Sequence, residues 1–253
     1  MRHYDSYFDY ERDLGKGVVA AFLDEHRISI EGKRVLDIGC GEGGVLAGLA
    51  ERYHFYGFGL DYDEEMVCRQ HNIPNCIIAQ GDFYTHSFSE KYDFVLIRDV
   101  LEHCGDPLKM LEKAAHLLTA KGYIYATYTP FLSPFGGHQH NGSGFFSNVP
   151  YIQALPEALF LNLIRPSSNL YKGGDELLRD LRQVRSTWLT TGKVIHAANL
   201  AGLSIAIARS WFIRQDYRYK FGLKPISFPR KFPVHTLTDI GCTSVEMLFQ
   251  LRG

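Results

Sequence analysis

The stretch that decides the fold is Val35-Leu36-Asp37-Ile38-Gly39-Cys40-Gly41-Glu42-Gly43. An apolar strand carries an acidic residue near its end and then breaks into alternating glycines. Glycine lets the backbone turn sharply and lets a ligand approach without interference from a Cβ atom. Residues 44–52 have a helical pattern, so the free N–H groups of a helix N-terminus face the space above the turn. The sequence therefore predicts a strand–turn–helix cradle for a cofactor.

The composition of the chain is that of an ordinary globular protein. Of its 253 residues, 45% are apolar and 22% are charged, and the formal net charge is −1. A charge so close to zero gives no general attraction to nucleic acid or to membranes. The sequence has no apolar run of about 18 residues, and its first residues lack the apolar core of a secretory signal. We therefore expect neither a membrane span nor a secretory leader.

The five cysteines are scattered, and no two of them have the C-x-x-C spacing. This pattern indicates neither a disulfide framework nor a zinc cluster, so the cytoplasm is the expected location. His138 and His140 are spaced so that both can ligate one metal ion, but the sequence shows no convincing third ligand beside them. We therefore expect no metal site.

Strand-like and helix-like segments alternate through the first two thirds of the chain. Strands are predicted over residues 33–38, 53–60, 76–79, 92–97 and 123–128. Apolar strands that alternate with helices are typical of a parallel sheet covered on both faces. Ligands bind at the carboxyl edge of such a sheet. The polar residues that follow the predicted strands are Asp37, Asp61, Gly81, Asp82, Arg98, Asp99 and Thr129.

The alternation stops between Pro130 and about Thr190. This stretch is rich in proline, glycine and aromatic residues, and one helix is predicted in it, over residues 174–184. A helix over 193–201 and strands over 203–213 and 245–251 follow. We predict one domain, residues 1–253, with an N-terminal helical segment at 1–30 and an insertion at 130–190. Since a structureless loop of that length is unusual unless functional, the insertion is expected to be a substrate-side lid.

The glycine turn agrees with two kinds of cofactor. Residues 39–44 satisfy G-x-G-x-x-G, and Asp61 follows about 20 residues later, as in dinucleotide-binding proteins. Asp37 argues against a dinucleotide, because a carboxylate at that strand end repels an anionic pyrophosphate. S-adenosylmethionine has no phosphate, and an acid suits its ammonium and sulfonium groups. After the third strand, Asp82 is able to accept a hydrogen bond from the adenine amino group, with Phe83 beside the ring.

Together these motifs resemble those of the class I S-adenosylmethionine-dependent methyltransferases, in particular the small-molecule group called type 11. The resemblance is good over residues 33–128 and looser at the C-terminus. It implies a three-layer α/β/α Rossmann-like methyltransferase fold, whose mostly parallel seven-stranded sheet has an antiparallel last strand and an insertion after strand five. The matching segments are D-x-G-x-G-x-G at 37–43, Asp61, Gly81-Asp82, Val100-Leu101-Glu102-His103 and Leu117-Leu118 with Lys121-Gly122.

The resemblance implies that S-adenosyl-L-methionine is the cofactor and S-adenosyl-L-homocysteine the product. Gly39-Cys40-Gly41 would face the methionine part, which Asp37 would orient. The backbone carbonyl of Arg98 would accept a hydrogen bond from the methionine ammonium. Arg12, in a segment that related enzymes fold over the cofactor, would meet the methionine carboxylate. The alternative for Arg12 is a solvated, frayed chain start.

The resemblance also assigns the adenosine part of the cofactor. Asp61 would accept hydrogen bonds from both ribose hydroxyls, and the neighbouring Tyr62 is included in the cofactor site. Asp82 and Phe83 would hold the adenine. The alternative for both aspartates is that they solvate or cap their own loops.

A hydroxyl that attacks a sulfonium methyl needs a base to accept its proton, and histidine is the usual base near neutral pH. His138 and His140 are the candidates, because their loop leaves the carboxyl end of strand five. Equally open is the alternative that they are exposed or structural loop residues. For Glu102 and His103, a role in bracing the cofactor pocket is favoured over acid–base chemistry.

We therefore favour O-methylation of a small-molecule, glycan or lipid-linked acceptor by a monomer or homodimer. The aromatic side chains of the insertion either cover the acceptor or form a small core or a dimer contact. One rival is an RNA-modifying methyltransferase, suggested by the basic and aromatic residues of 214–235, although a solvated loop is favoured there. The other rival is an NAD(P)-dependent oxidoreductase, supported only by the literal G-x-G-x-x-G.

Overall fold

The computed structural model describes residues 4, 6–142, 144–164, 174–229 and 235–253. Within these residues, one sheet of eight strands runs through the molecule in the order β3-β2-β1-β4-β5-β8-β6-β7. The strands are β1 (Arg34–Ile38), β2 (Tyr56–Asp61), β3 (Cys76–Gln80), β4 (Tyr92–Arg98), β5 (Leu118–Tyr128), β6 (Leu203–Ile213), β7 (Ile226–Ser227) and β8 (Ser244–Leu251). The helices are α1 (Tyr7–Leu14), α2 (Ala20–His26), α3 (Gly44–Ala50), α4 (Glu64–Cys68), α5 (Pro107–Leu117), α6 (Glu157–Leu163), α7 (Gly174–Thr187), α8 (Thr191–Leu200) and α9 (Tyr217–Phe221).

The sheet confirms the predicted fold class. Strands β1 to β5 pair in parallel, and the last strand, β8, lies antiparallel between β5 and β6. The sheet exceeds the predicted seven strands by one, because the two-residue β7 adds an antiparallel edge beside β6. A strand that short has no periodicity by which a sequence pattern can reveal it.

Alternate residues of the central strands pack into two different cores. Leu36 and Val95 face a core shared with α5 and α8. Val35 and Phe94 face the opposite core, which α2 and α3 complete. Because side chains alternate between the faces of a strand, continuous apolar runs are what a sheet buried on both sides requires. The three layers thus follow directly from the sequence pattern.

The N-terminal helix crosses α3 at very short range. Residues 7–26 form α1, a π-helical turn (Gly15–Val19) and α2 in immediate succession. A Cβ atom on Gly44 would lie 2.5 Å from the Cβ of Glu11, and one on Gly48 would lie 2.0 Å from the carbonyl oxygen of Arg12. The two glycines of α3 therefore let α1 lie directly against the helix that begins at the glycine turn.

The segment at 130–190 has more local structure than the single predicted helix. Its described residues include α6 and α7. Phe160 of α6 packs with Leu177 and Leu181 of α7 in a small core of their own. Gln153 donates to the carbonyl oxygens of Phe131 and Ser133, which ties the segment to the end of β5. Helix α6 escaped sequence analysis because its seven residues are too few for a helical period to stand out.

The search for membrane spans was limited to the described residues. None of the helices there combines the length and the hydropathy that crossing a bilayer requires.

We expect Gly48→Ala to lower the free energy of unfolding by about 1–3 kcal/mol, because the added methyl group overlaps the backbone of the N-terminal helix. Helix propensity alone predicts the opposite sign, since alanine is favoured over glycine in a helix by about 1 kcal/mol. Urea denaturation of the two proteins measures the difference. A stabilised variant would show that the helices are not in close contact.

Candidate functional site

The turn after β1 has the glycine conformations that the sequence predicts. Gly39, Gly41 and Gly43 have φ angles of +75°, +53° and +88°. A Cβ atom on Gly39 would also lie 2.4 Å from Cγ2 of Val100. Residues with a side chain rarely adopt such angles, so this turn requires glycine at these three positions. It forms an open cradle at the N-terminus of α3.

Asp61 fixes this turn from the neighbouring strand. Its Oδ2 accepts the N–H of Gly41 at 2.7 Å, and its Oδ1 accepts the N–H of Asp63 at 2.9 Å. Each carboxylate oxygen still has a lone pair for a further donor. Cys40, within the turn, is buried, and burial raises the pKa of its thiol, so the thiol is not an activated nucleophile.

Asp37 is a buried carboxyl group at the base of the cradle. It is 2% exposed, and its Oδ2 has no hydrogen-bond partner among the described residues. Burial, followed by the nearby carboxyl group of Glu11, raises the pKa of Asp37 to about 8. An orphaned buried carboxyl group is costly unless a ligand completes it. This observation points to a cationic ligand above the turn.

Five charged residues whose side chains are 8–26% exposed form a network of which Glu11 and Arg98 act on Asp37, and we call them the charge cluster: Glu11, Arg98, Asp99, Arg214 and Asp216. Arg98 donates to Glu11 at 3.1 Å, and its other terminal nitrogen lies 3.9 Å from Asp216. Arg214 donates to Asp99 at 2.5 Å and to Asp216 at 2.7 Å. Although burial acts in the opposite direction, Arg214 and Arg98 hold the pKa of Asp99 at about 2.

Arg12 does not join the charge cluster. Its guanidinium lies 3.0 Å from Asp9 and 3.5 Å from Glu51, and its side chain is 41% exposed. The residue that α1 directs to the buried side is the preceding one, Glu11, with a side chain only 12% exposed. Neighbouring helical residues point about 100° apart, so a one-residue difference separates the two environments.

The residues predicted to hold the adenosine part differ in their exposure to solvent. Asp82 is exposed, and its Oδ1 accepts the N–H of Tyr84, so in this structure it caps its own turn. Phe83 is buried, with the ammonium of Lys113 5.3 Å from its ring centroid. Tyr62 is 72% exposed. Of the predicted set, the structure brings together Asp37, the glycine turn, Asp61 and Arg98.

A second group of polar side chains lies where β4 and β5 end. Glu102 is 1% exposed; its Oε1 accepts the N–H of Thr129 at 2.9 Å, and its Oε2 has no partner within the described residues. Nε2 of His138 lies 3.9 Å from Oε1 of Glu102. Nδ1 of His103 lies 2.7 Å from the carboxylate of Asp180 on α7. Donor atoms of Glu102, His103 and His138 all lie within 4.8 Å of one another.

The structure supplies possible metal ligands beside His138 that the sequence did not reveal. Sequence analysis finds no third metal ligand beside His138 and His140, whereas the structure places Glu102 and His103 next to His138. His140 is exposed, with its ring centroid 5.9 Å from that of His138. Burial, followed by the neighbouring charge of His103, lowers the pKa of His138 well below its usual value, so its ring is neutral at physiological pH. Burial and Asp99 raise the pKa of Glu102 to about 7.

The basic and aromatic segment after β6 is partly turned inward. Arg214 belongs to the charge cluster, and the ammonium of Lys220 lies 5.0 Å from the ring centroid of the buried Tyr10. Arg230 and Lys231 lie outside the described residues. Arg214 is therefore taken from the predicted basic surface, whereas Lys220 remains exposed.

The arrangement favours a ligand without phosphate. Glu11, Asp37 and Asp61 all lie close to the glycine turn, and Glu11 and Asp61 both affect the titration of Asp37. Ionised carboxyl groups there oppose the binding of a pyrophosphate, and a bound ammonium or sulfonium would favour release of the proton that Asp37 otherwise holds up to about pH 8. The unpartnered oxygen of Asp37 and the open turn therefore fit S-adenosylmethionine better than a dinucleotide.

Sequence analysis missed Glu11, Asp180 and Arg214. A signal existed for Arg214, since it directly follows the predicted strand 203–213, which ends at the same edge of the sheet. A weaker signal existed for Glu11, because it lies within the predicted N-terminal helical segment at 1–30, where the structure has α1. Asp180 had none, because only folding brings α7 against His103.

Comparison with known proteins places the chain among methyltransferases. Residues 9–155, more than half of the chain, match a family model described as a methyltransferase domain. A ubiquinone biosynthesis O-methyltransferase of Shewanella sp. (strain ANA-3) is 28% identical over 144 residues, covering 47% of this chain and 61% of that protein. The protein of the same name from Vibrio cholerae serotype O1 (strain M66-2) is 34% identical over 101 residues, covering 37% of this chain and 41% of that protein. The chain therefore spans less than two thirds of these relatives.

Solved structures support the fold. A putative S-adenosylmethionine dependent methyltransferase from Listeria monocytogenes has a TM-score of 0.55 at 16% identity, over 93% of this chain and 100% of that one. The plantazolicin methyltransferase BamL, solved with a triazolic desmethylPZN analog and SAH, has a TM-score of 0.57 at 13% identity. That match covers 97% of this chain and 85% of that one.

The titration of Asp37 predicts a pH dependence of stability. The folded chain keeps a proton on Asp37 up to about pH 8, whereas the unfolded chain releases it near pH 4, so this group destabilises the fold as the pH rises between those values. We expect Asp37→Asn to be more stable relative to the wild type at pH 8 than at pH 5, by more than about 1 kcal/mol. Urea denaturation of both proteins at both pH values measures this difference in stability. The contributions of other titrating groups cancel, because they are the same in the variant and the wild type. A difference that does not change with pH would contradict the prediction.

Proposed function

The chain belongs to the S-adenosylmethionine-dependent methyltransferase family, and on that premise we propose that it transfers the methyl group of S-adenosylmethionine to an oxygen atom of a small-molecule, glycan or lipid-linked acceptor. The observation that carries the proposal is the glycine turn flanked by carboxyl groups, of which Asp37 has an orphaned oxygen. The O-methyltransferase names of the curated relatives support oxygen as the acceptor atom. Their low identity leaves the acceptor itself to experiment.

We assign the binding of the cofactor to the predicted residues that meet at the turn. Gly39 and Gly41 leave room for the methionine part, and Asp37 faces its positive charges. Asp61 is proposed to receive the ribose hydroxyls with the lone pairs that its two backbone donors leave unused. Asp82, Phe83 and Tyr62 remain proposed neighbours of the adenine and ribose.

We assign the acceptor hydroxyl to the space between Glu102 and His138. The bound cofactor supplies an activated methyl, which leaves its sulfonium with the bonding electron pair kept by the sulfur as a neutral thioether. An oxygen lone pair of the acceptor forms the new O–C bond, and a neutral His138 is able to accept the hydroxyl proton. The carboxylate of Glu102 at 3.9 Å then stabilises the imidazolium, a role that an acidic neighbour plays in other histidine bases.

Residues 130–190 are proposed to cover the acceptor on this side. Support comes from the position of His138 within the segment and from the contact of Asp180 with His103. Two exposed aromatic side chains of the segment, Phe145 and Phe146, are available to an apolar or ring-shaped acceptor. We keep the cytoplasm as the expected compartment, and a monomer or homodimer as the expected state.

The two rival functions have less support. An RNA-modifying methyltransferase requires an exposed basic surface, and Arg214, one of the cations of residues 214–235, is instead hydrogen-bonded to Asp99 and Asp216. An NAD(P)-dependent oxidoreductase would have to bind the pyrophosphate of its cofactor beside the carboxyl groups of Glu11, Asp37 and Asp61.

We expect isothermal titration calorimetry to detect binding of S-adenosylhomocysteine and no binding of NADH or NADPH at the same concentrations. The reason is the carboxyl groups at the turn, which attract an ammonium and repel a pyrophosphate. Binding of a dinucleotide in place of S-adenosylhomocysteine would refute the proposed function.

We expect His138→Ala to lower turnover about 100-fold or more while the affinity for S-adenosylhomocysteine is unchanged, because a general base acts on the transfer step alone. An acceptor is first identified by testing a panel of phenols and hydroxylated glycans for formation of S-adenosylhomocysteine from S-adenosylmethionine. The rate of that formation then measures turnover. His54→Ala is the matched control, since His54 is exposed before β2, at the other edge of the sheet.

Unchanged turnover in both His138→Ala and His140→Ala would remove the histidines from the mechanism. Loss of wild-type turnover on treatment with EDTA would show instead that Glu102, His103 and His138 act by holding a metal ion.

A further inference from the structure

Glu11 and Arg98 form a largely buried ion pair at the carboxyl edge of the sheet. The side chains are 12% and 8% exposed, and the guanidinium donates to the carboxylate at 3.1 Å. Removing two charges from water costs at least as much as their attraction returns, so such a pair is poor support for stability. A pair kept in spite of that cost, at the carboxyl edge where the cofactor binds, suggests a role in recognition.

The position of Glu11 is set by the close contact between α1 and α3. Its Cβ lies directly above Gly44, the first residue of α3 and the residue after the glycine turn. Helix α1 therefore delivers this carboxyl group to the rim of the cradle, next to Asp37. Tyr7, one turn earlier in α1, also hydrogen-bonds to Glu11, so the side chain is held in place.

Charged groups of both signs surround this pair. Glu11, Asp37, Asp99 and Asp216 are four carboxyl groups, and Arg98, Arg214 and Lys220 are three cations whose charges act on them. Asp99 and Asp216 are both hydrogen-bonded by Arg214. Glu11 and Asp37 are the carboxyl groups of this set that lie nearest the turn. Since Oδ2 of Asp37 has no hydrogen-bond partner among the described residues, a cationic donor bound there would supply the partner that this carboxyl group lacks.

We propose that Glu11 and Arg98 together bind the amino-acid end of the cofactor, Glu11 accepting hydrogen bonds from the methionine ammonium and the guanidinium of Arg98 donating to the methionine carboxylate. A zwitterion offers one charge of each sign, and an ion pair whose members sit side by side is complementary to it. The ammonium faces Glu11 and the unpartnered oxygen of Asp37, and the guanidinium of Arg98 offers the carboxylate a planar pair of N–H donors. This inference rests on the proposed function and replaces Arg12 and the Arg98 carbonyl as the predicted partners.

Two probes separate recognition of the amino-acid end from binding of the rest of the cofactor. S-adenosylhomocysteine carries the ammonium and the carboxylate, and 5′-methylthioadenosine has the same nucleoside and sulfur without them. We expect Glu11→Gln and Arg98→Lys each to weaken binding of S-adenosylhomocysteine at least about tenfold in calorimetry and to leave binding of 5′-methylthioadenosine unchanged. Unchanged binding of the second probe also shows that the variants are folded.

The matched control is Glu51→Gln, which alters an exposed glutamate on the outer side of the same helix pair. It is expected to bind both probes like the wild type. Equal affinity of Glu11→Gln and wild type for S-adenosylhomocysteine would overturn the inference, as would an equal loss for both probes. A loss confined to Arg12→Ala would return the methionine carboxylate to Arg12. Failure of the wild type to bind S-adenosylhomocysteine would instead refute the proposed function.

Discussion

The structure depends on buried carboxyl groups gathered at the carboxyl edge of one parallel sheet. Asp37 and Asp61 end neighbouring strands, Asp99 follows a third, and Glu11 reaches them from outside the sheet. Carboxylates removed from water must be neutralised by protons, by arginines or by a ligand. Arg98 and Arg214 provide part of the compensation, and the proton that Asp37 holds up to about pH 8 provides more, which a bound cation would replace. The site is therefore suited to a ligand that carries a positive charge.

The balance could not exist without the close approach of two helices. Gly44 and Gly48 allow the backbone of α1 to contact α3, and only at that distance does Glu11 reach Asp37 and Arg98. The same glycine-rich stretch thus serves two purposes. Its first glycines open the cradle above β1, and the later ones bring in a helix from outside to close one side of it.

The group around His138 is built from residues that are distant in the sequence. Glu102 lies directly after β4, whereas His138 is brought back by the turns that follow β5. Asp180 joins them from α7 through His103. A neutral histidine and a carboxyl group with an unused oxygen are suited to receive a hydroxyl proton. The position of His138 in this group supports the proposal that its segment contributes to the site.

The sequence by itself determined the layered fold, the glycine turn and the acids at the strand ends, because these follow from local periodicity and from the conformations that glycine alone adopts. It also placed His138 near the end of β5. Only the tertiary structure decided that Glu11 and not Arg12 faces the buried side, and that Glu102, His103 and Asp180 meet at His138. The rotation of a helix about its axis and the docking of distant segments are set by packing, which no window of neighbouring residues records.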